Sequence, residues 1–260
     1  LGYGVRVGAG ISALAALRGS VIVATDASGR VGTRVEDSLV ASFAPVASLS
    51  YDIDESWRVG GTFRGELMGR FNVVIEVRDL GGISVPPLNI SGLAQYDPWQ
   101  LTLEASRSSR RSTLALSATY SHWSAYPGPI EATVRCEDAP DPDPNCLAPV
   151  PDDPGYSPTL TPRLGGEYRI DLQTGARLAL RGGYAFVPTP APEQTGRTNL
   201  FDAHRSVPSL GWGLMLERPL PRLSFDGFVQ LGVIHSRRHQ KSVSEGAARD
   251  AEIETRGTTV

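Results

Sequence analysis

Apolar and polar residues alternate along this chain in stretches longer than a soluble strand needs. The clearest covers residues 57–77, where Trp57, Val59, Gly61, Phe63, Gly65, Leu67, Gly69, Phe71, Val73, Ile75 and Val77 share one face. Arg58, Thr62, Arg64, Glu66, Arg70, Asn72 and Glu76 share the other. This period of two is held over roughly twice the 9–11 residues with which a tilted strand crosses a bilayer, whereas ordinary strands average about 5–6 residues. A strand with one greasy and one charged face fits a barrel whose outside touches lipid and whose inside is wet, because only closure pairs every strand edge within hydrocarbon. The same alternation predicts strands over residues 3–25, 35–53, 99–104, 113–121, 160–172, 177–187, 208–216 and 223–233, about nine in all. The fold class is therefore all-β, an antiparallel transmembrane β-barrel forming a single domain over 1–260.

The connections sort by length in the way such a barrel requires. Short ones cover 53–56, 106–111, 173–176 and 217–221; longer ones cover 26–34, 78–90, 127–159, 188–206 and the residues beyond 239. Long and short connections alternate along the chain, each short one lying between two long ones, a sorting that a soluble sandwich has no reason to make. Aromatic residues are predicted to mark two interfaces, with Tyr51 and Trp57 around one short turn, Tyr96 and Trp99 at the end of another strand, and Trp123 and Tyr126 at the end of its neighbour.

Composition removes other classes. With 28 glycines, 20 prolines and 20% charged residues the chain suits strands and turns, and no apolar run approaches the 18 residues of a helical span. A mean hydropathy of −0.15 is ordinary for strands that expose only alternate residues to lipid. A net charge of −3 and a pI near 5.9, with arginines scattered singly, argue against a nucleic-acid partner. Leu1 is followed at once by strand-like sequence without a basic or apolar leader, and 256–260 reads as the middle of a loop. Nine antiparallel strands with two free edges cannot close, so the remaining strands are expected from another segment or from an envelope protein partner.

Several local motifs agree with one family. Phe43-Ala44-Pro45 precedes Trp57-Arg58-Val59-Gly60-Gly61-Thr62-Phe63-Arg64; then come Pro86-Pro87-Leu88-Asn89-Ile90-Ser91-Gly92, Tyr96-Asp97-Pro98-Trp99-Gln100-Leu101 and Tyr120-Ser121-His122-Trp123-Ser124-Ala125-Tyr126. Leu180-Arg181-Gly182-Gly183-Tyr184-Ala185-Phe186-Val187-Pro188-Thr189-Pro190-Ala191-Pro192, Phe201-Asp202-Ala203-His204-Arg205 and Ser209-Leu210-Gly211-Trp212-Gly213 follow. In order and spacing over about 43–233 the chain resembles the FadL/TodX family of outer-membrane transporters for hydrophobic compounds. The resemblance implies a barrel of about fourteen strands in the bacterial outer membrane, long loops outside, plugged by an N-terminal hatch and releasing fatty acids or other hydrophobic small molecules sideways. It implies no enzymatic activity and no cofactor; its partners would be outer-membrane lipid and the hydrophobic cargo. Where that family reads Pro-Asp-x-Asp-Arg, this chain keeps Asp202 and Arg205 but carries Phe201 and His204.

Moving a nearly insoluble molecule calls for a graded apolar path, with a cation to hold a carboxylate head. Arg64, Arg70, Arg163 and Arg181 on the polar faces are the candidates, with Glu66 and Glu167 as countercharges; the alternative is that they form ion pairs holding the wall together. Cys136 and Cys146 flank a proline-rich acidic run in the 127–159 loop. A small-loop disulfide contributing about 2–3 kcal/mol suits an oxidising exterior, and metal capture through Glu137, Asp138, Asp141 and Asp143 is disfavoured because the acidic spacing lacks a calcium-loop pattern. Two further functional classes stay open. One is a lipid hydrolase: Ser121 and His122 point to opposite faces of a strand, but His122 and Ser124 share one. The other is a structural barrel component of a larger envelope assembly. His204, His235 and His239 have no metal-ligand spacing.

Overall fold

The computed structural model describes residues 4–25, 31–78, 88–128, 130–134, 153–172, 175–196, 198–216, 223–245 and 247–260. Cys136, Cys146 and the acidic residues between them lie outside the described residues. The strands are β1 (Val5–Thr25), β2 (Val31–Asp52), β3 (Trp57–Arg64), β4 (Leu67–Arg78), β5 (Leu88–Asp97), β6 (Gln100–Ser108), β7 (Ser112–Ser121), β8 (Ile130–Val134), β9 (Thr159–Leu172), β10 (Ala176–Val187), β11 (Arg205–Leu216), β12 (Leu223–Gln230), β13 (Gly232–Lys241) and β14 (Ala251–Thr259). They make a single sheet in the order β14-β13-β11-β10-β9-β7-β6-β3-β2-β1-β4-β5-β8, with β12 beside β11. Every neighbouring pair is antiparallel except β1 with β4. Among the described residues β14 and β8 end the sheet, which does not close on itself.

The nine alternating stretches resolve into more than nine strands. The stretch 57–77 is divided at 65–66 into β3 and β4, 223–233 is divided at Leu231 between β12 and β13, and β5, β8 and β14 lie outside all nine, which makes fourteen among the described residues. The register keeps the faces of the stretches together. Tyr51, Val59, Ala105, Leu116, Leu164, Tyr184 and Pro208 stand opposite one another across seven strands, on the apolar face. One residue along, Ser50, Gly60, Glu104, Ser117 and Arg163 do the same on the polar face. The apolar face is bare: Val7 is 79%, Leu103 60% and Leu210 68% exposed. Among the described residues the buried apolar side chains are few and mostly small, Ala44 and Ala16 among them.

Short turns close by local chemistry. Asp54 Oδ1 accepts the amide hydrogens of Ser56 at 2.7 Å and Trp57 at 2.8 Å, so 53–56 needs no further residues to reverse the chain. Gly175 takes φ 75° between β9 and β10, where a side chain would be strained.

The long stretch 57–77 is interrupted. β3 ends at Arg64, the chain crosses the polar face of the β1/β2 hairpin, and β4 joins the far edge of β1 in parallel, Arg18 opposite Asn72 through Ala24 opposite Arg78. Small residues allow the crossing. The Gly65 amide donates to the Pro45 carbonyl at 2.8 Å, and Leu67 is buried at the same crossing as Ala44 and Ala16. A Cβ at Gly65 would lie 2.7 Å from the Pro45 ring and one at Gly69 2.6 Å from Leu14 Cδ2. Gly65→Val is therefore expected to cost about 1–3 kcal/mol through overpacking, read as a lower denaturant midpoint with unchanged slope. Matching breaks separate β5 from β6 at Pro98, which has no amide hydrogen, and follow β7 at 122–128.

The expectation for the last residues is also overturned. Residues 256–260 are not the middle of a loop: β13 runs on to Lys241 and the chain returns as β14, with Lys241 opposite Ala251 and His239 opposite Ile253. The sequence signal was weak there because Ile253 is the one large apolar residue of 251–259.

Candidate functional site

The polar face carries an interlocked set of charges. Arg181 Nε donates to Glu167 Oε2 at 2.7 Å and its Nη1 to Asp226 Oδ1 at 2.7 Å, while Arg169 Nε reaches the other Glu167 oxygen at 2.6 Å. Nearer the short turns Asp52 takes Arg58 at 2.6 Å and Arg6 at 2.5 Å. These pairs are half exposed and add modest stability; their larger effect is to fix the side chains against the wall.

Above this network lies a chamber of about 840 Å³. Arg163 lines it and also the wider space below, and so stands at the boundary between them. Its Nη1 donates to Thr119 Oγ1 at 2.7 Å, and Thr119 lies 2.9 Å from Thr102 Oγ1. Arg163 thus makes a hydrogen bond to a neutral hydroxyl, whereas Arg181 is neutralised twice. Tyr96, Trp123, Tyr126 and Tyr156 form one wall: ring centroids are 5.4 Å apart for Tyr96 and Tyr126, 5.9 Å for Tyr96 and Trp123, and 4.5 Å for Tyr126 and Tyr156. Tyr96 donates its hydroxyl to Glu66 Oε2 at 2.9 Å. Burial, helped by Tyr126 and Asp202, pushes the Tyr156 hydroxyl up to about 12, so it stays a neutral donor.

The opposite wall is the 188–204 connection, which supplies Leu200, Phe201 and Asp202. β13 holds it in place. Arg237 Nη1 donates to the carbonyls of Ala191 at 2.8 Å and Asp202 at 3.2 Å, Lys241 Nζ donates to those of Gly196 at 2.8 Å and Thr198, and the Gln194 amide donates to His239 Nδ1 at 3.1 Å. Phe201 lies against both anchors, 5.1 Å from the His239 ring and 5.3 Å from the Lys241 ammonium. Neither His239 nor Lys241 stands out in the sequence, since both lie in the uniformly polar run 235–242 and their partners lie some 45 positions away.

The candidate residues are thereby dispersed. Arg163 and Asp202 border the chamber together with Arg205, whereas Glu167 and Arg181 belong to the ion network below it. Arg64 reaches Gln100 Oε1 at 3.4 Å and Asp97 at 3.9 Å, and Arg70 donates to Met68 Sδ at 3.0 Å. In the motif loop Asp202 accepts the Thr189 hydroxyl at 2.6 Å and His204 Nδ1 the Thr189 amide at 3.1 Å, so both residues tie the loop to its own start. The aromatic expectation needs correction in part. Trp57 and Trp99 do lie on the apolar face, Trp99 stacking on His122 at 5.0 Å, but Tyr96, Trp123 and Tyr126 turn into the chamber because the strands break at Pro98 and at the Trp123–Ala125 turn. Ser124 Oγ lies 3.1 Å from His122 Nε2, though not through a shared strand face, since β7 ends at Ser121 and Ser124 belongs to the Trp123–Ala125 turn; Tyr120 OH lies 3.3 Å from Nδ1. The third group is a phenol, not a carboxylate. Among the described residues no three His, Cys, Asp or Glu side chains converge to hold a metal.

An all-β sheet with one bare apolar face and one charged, chamber-bearing face is the construction of a membrane β-barrel wall. Its fold is that of the FadL-type barrels. It superposes on a Pseudomonas aeruginosa FadL homologue with a TM-score of 0.65 at 15% identity, covering 98% of this chain and 62% of that one. Against the P. putida toluene transporter TodX the TM-score is 0.40 at 13% identity, covering 85% of this chain and 48% of that one. The chain thus spans about half to three-fifths of the length of these structures. No protein-family model and no curated protein matches the sequence.

Proposed function

We propose that the chain forms part of an outer-membrane channel through which hydrophobic small molecules, long-chain fatty acids among them, pass by diffusion. The observation that carries this reading is the pairing of faces. Outward rows of exposed leucine, valine and aromatic residues demand a lipid surround, since soluble proteins rarely expose contiguous apolar patches above a few hundred Å². Behind them the chamber offers an aromatic wall and, in Arg163, a cation able to take an acidic head. The aligned breaks at 65–66, 98–99 and 122–128 favour sideways release, because ladder pairing is interrupted there at one level of the wall.

The test is binding of oleate and of oleyl alcohol, read by quenching of tryptophan fluorescence with their brominated forms. A hydrogen bond to a charged group contributes about 1.5–3 kcal/mol, so Arg163→Gln is expected to weaken oleate about ten- to hundredfold and to leave the alcohol nearly unchanged. Equal loss for both ligands, or loss for neither, would remove Arg163 from the path.

A further inference from the structure

The apolar face is not smooth. Between the ridges made by Leu114, Tyr168 and Leu180 runs a groove of about 700 Å³ whose floor is Gly166 and Gly182. The register explains it: Leu114 stands opposite Gly166 and Gly166 opposite Gly182, so two adjacent strands present no side chain at the same height. At the end nearest the short turns the groove meets Arg107. This arginine stands out because its neighbours on the same face of β6 are Leu101, Leu103 and Ala105. Its guanidinium lies 5.6 Å from the centre of the Trp57 ring, the posture of a cation held at a membrane interface. Ser109 and Ser112 also line this end, their hydroxyls 2.8 Å apart, and Arg110 and Arg111 are exposed on the same turn. Asp54, the carboxylate that feels the charge of Arg107, has Oδ1 engaged by Ser56 and Trp57.

From this juxtaposition we infer that the groove seats one anionic phospholipid, an acyl chain lying along Gly166 and Gly182 and the phosphate meeting Arg107. The inference rests on the reading that the apolar face is in contact with lipid. The chemistry is complementary at both ends. A chain packs where side chains are missing, and a phosphodiester accepts from a guanidinium with serine hydroxyls beside it. Arg110 and Arg111, which share one acidic neighbour in Asp171, extend the positive field, so a headgroup with net negative charge is favoured over a zwitterionic one. The site faces away from the chamber and takes a structural lipid, not the cargo.

Glycine makes the test clean. A Cβ at Gly166 would have its nearest neighbours at 3.7 Å and 3.9 Å, and one at Gly182 at 3.9 Å, so larger residues fill the groove without displacing the sheet. The full chain, purified in detergent, is titrated with dioleoylphosphatidylglycerol, dioleoylphosphatidylcholine, oleate and soluble glycerol 3-phosphate, and bound lipid is counted by native mass spectrometry. Phosphatidylglycerol is expected to bind one per chain and at least fivefold more tightly than phosphatidylcholine, with no displacement by glycerol 3-phosphate or oleate. Arg107→Gln is expected to abolish the preference for the anionic lipid, and Gly166→Leu to lower retention of both phospholipids at least tenfold. Arg58→Gln, a control on the polar face, leaves binding unchanged. Equal binding of the two phospholipids to the unaltered protein, or binding unmoved by both groove variants, overturns the inference. A protein that stays monomeric and soluble without detergent would instead sink the membrane reading on which it rests.

Discussion

Leu116→Arg is expected to destabilise the protein in a bilayer by about 2–4 kcal/mol, whereas Ser117→Arg, its immediate neighbour, changes stability by less than about 1 kcal/mol. The two positions differ in face alone. Leu116 is 58% exposed on the apolar side, in the row with Val59, Ala105 and Leu164; Ser117 stands on the polar side between Glu104 and Arg163. A guanidinium at 116 must be carried into hydrocarbon or bend toward the interface, while one at 117 enters a wet, charged space opposite a carboxylate. Urea titration of protein folded into phosphatidylcholine vesicles measures both, and a difference near zero would mean that the exposed leucines do not face lipid.

The second large effect concerns His239, which is fully buried under the 188–204 connection. It lies beyond the start of β11, since β13 meets β11 only at Val233 and Ile234, and is held by the loop and by β14. The Gln194 amide donates to Nδ1, which fixes the neutral ring with its hydrogen on Nε2. His239→Ala is expected to cost about 2–4 kcal/mol in anchoring the loop, through the cavity and the unpaired Gln194 amide. Burial, reinforced by the charges of Arg237 and Lys241 and opposed by Glu193, holds the imidazole below its ordinary value. The unfolded loop therefore binds the proton more readily than the folded one. Anchoring is fully present above about pH 6.5 and is lost as pH falls through the lower folded value. The protection factors of the Gln194 and Leu200 amides, corrected for the intrinsic slowing of exchange as pH falls, are expected to drop between pH 7.5 and pH 5, and His239→Gln, which keeps an acceptor without titrating, to flatten that dependence. Protection factors that are independent of pH in the unaltered protein would contradict this assignment.

How much was legible in the sequence follows from which interactions are local. Alternation around Leu101, Leu103 and Glu104 is a property of neighbouring residues, so strand and facing could be read directly. The interruption at Gly65 depends on Pro45, twenty positions earlier, and strict periodicity continues straight through it. Pro98 did carry a local signal for a break, and that break is what turns Tyr96 inward while Trp99 stays outside. β14 is held by β13 and not by its own pattern. The candidate arginines were recognisable as a class, because polar-face cations are visible in the alternation. Their partners were not: Arg181 meets Asp226 across 45 residues and Arg163 meets Thr119 across 44, and such pairings exist only once the register is known. His239 and Lys241 escaped for the same reason.

The most direct test of the two-faced wall is spin-label accessibility along β6 and β7 of the protein in bilayers, with Cys136 and Cys146 replaced by serine. Labels at 101, 103, 114 and 116 are expected to be relaxed by oxygen, which concentrates in lipid. Labels at 102, 104, 115 and 117 are expected to respond to a water-soluble nickel chelate. Alternation with a period of two on both strands is the expected result. Uniform access to the nickel chelate at every position would contradict a lipid-facing barrel wall and, with it, the channel.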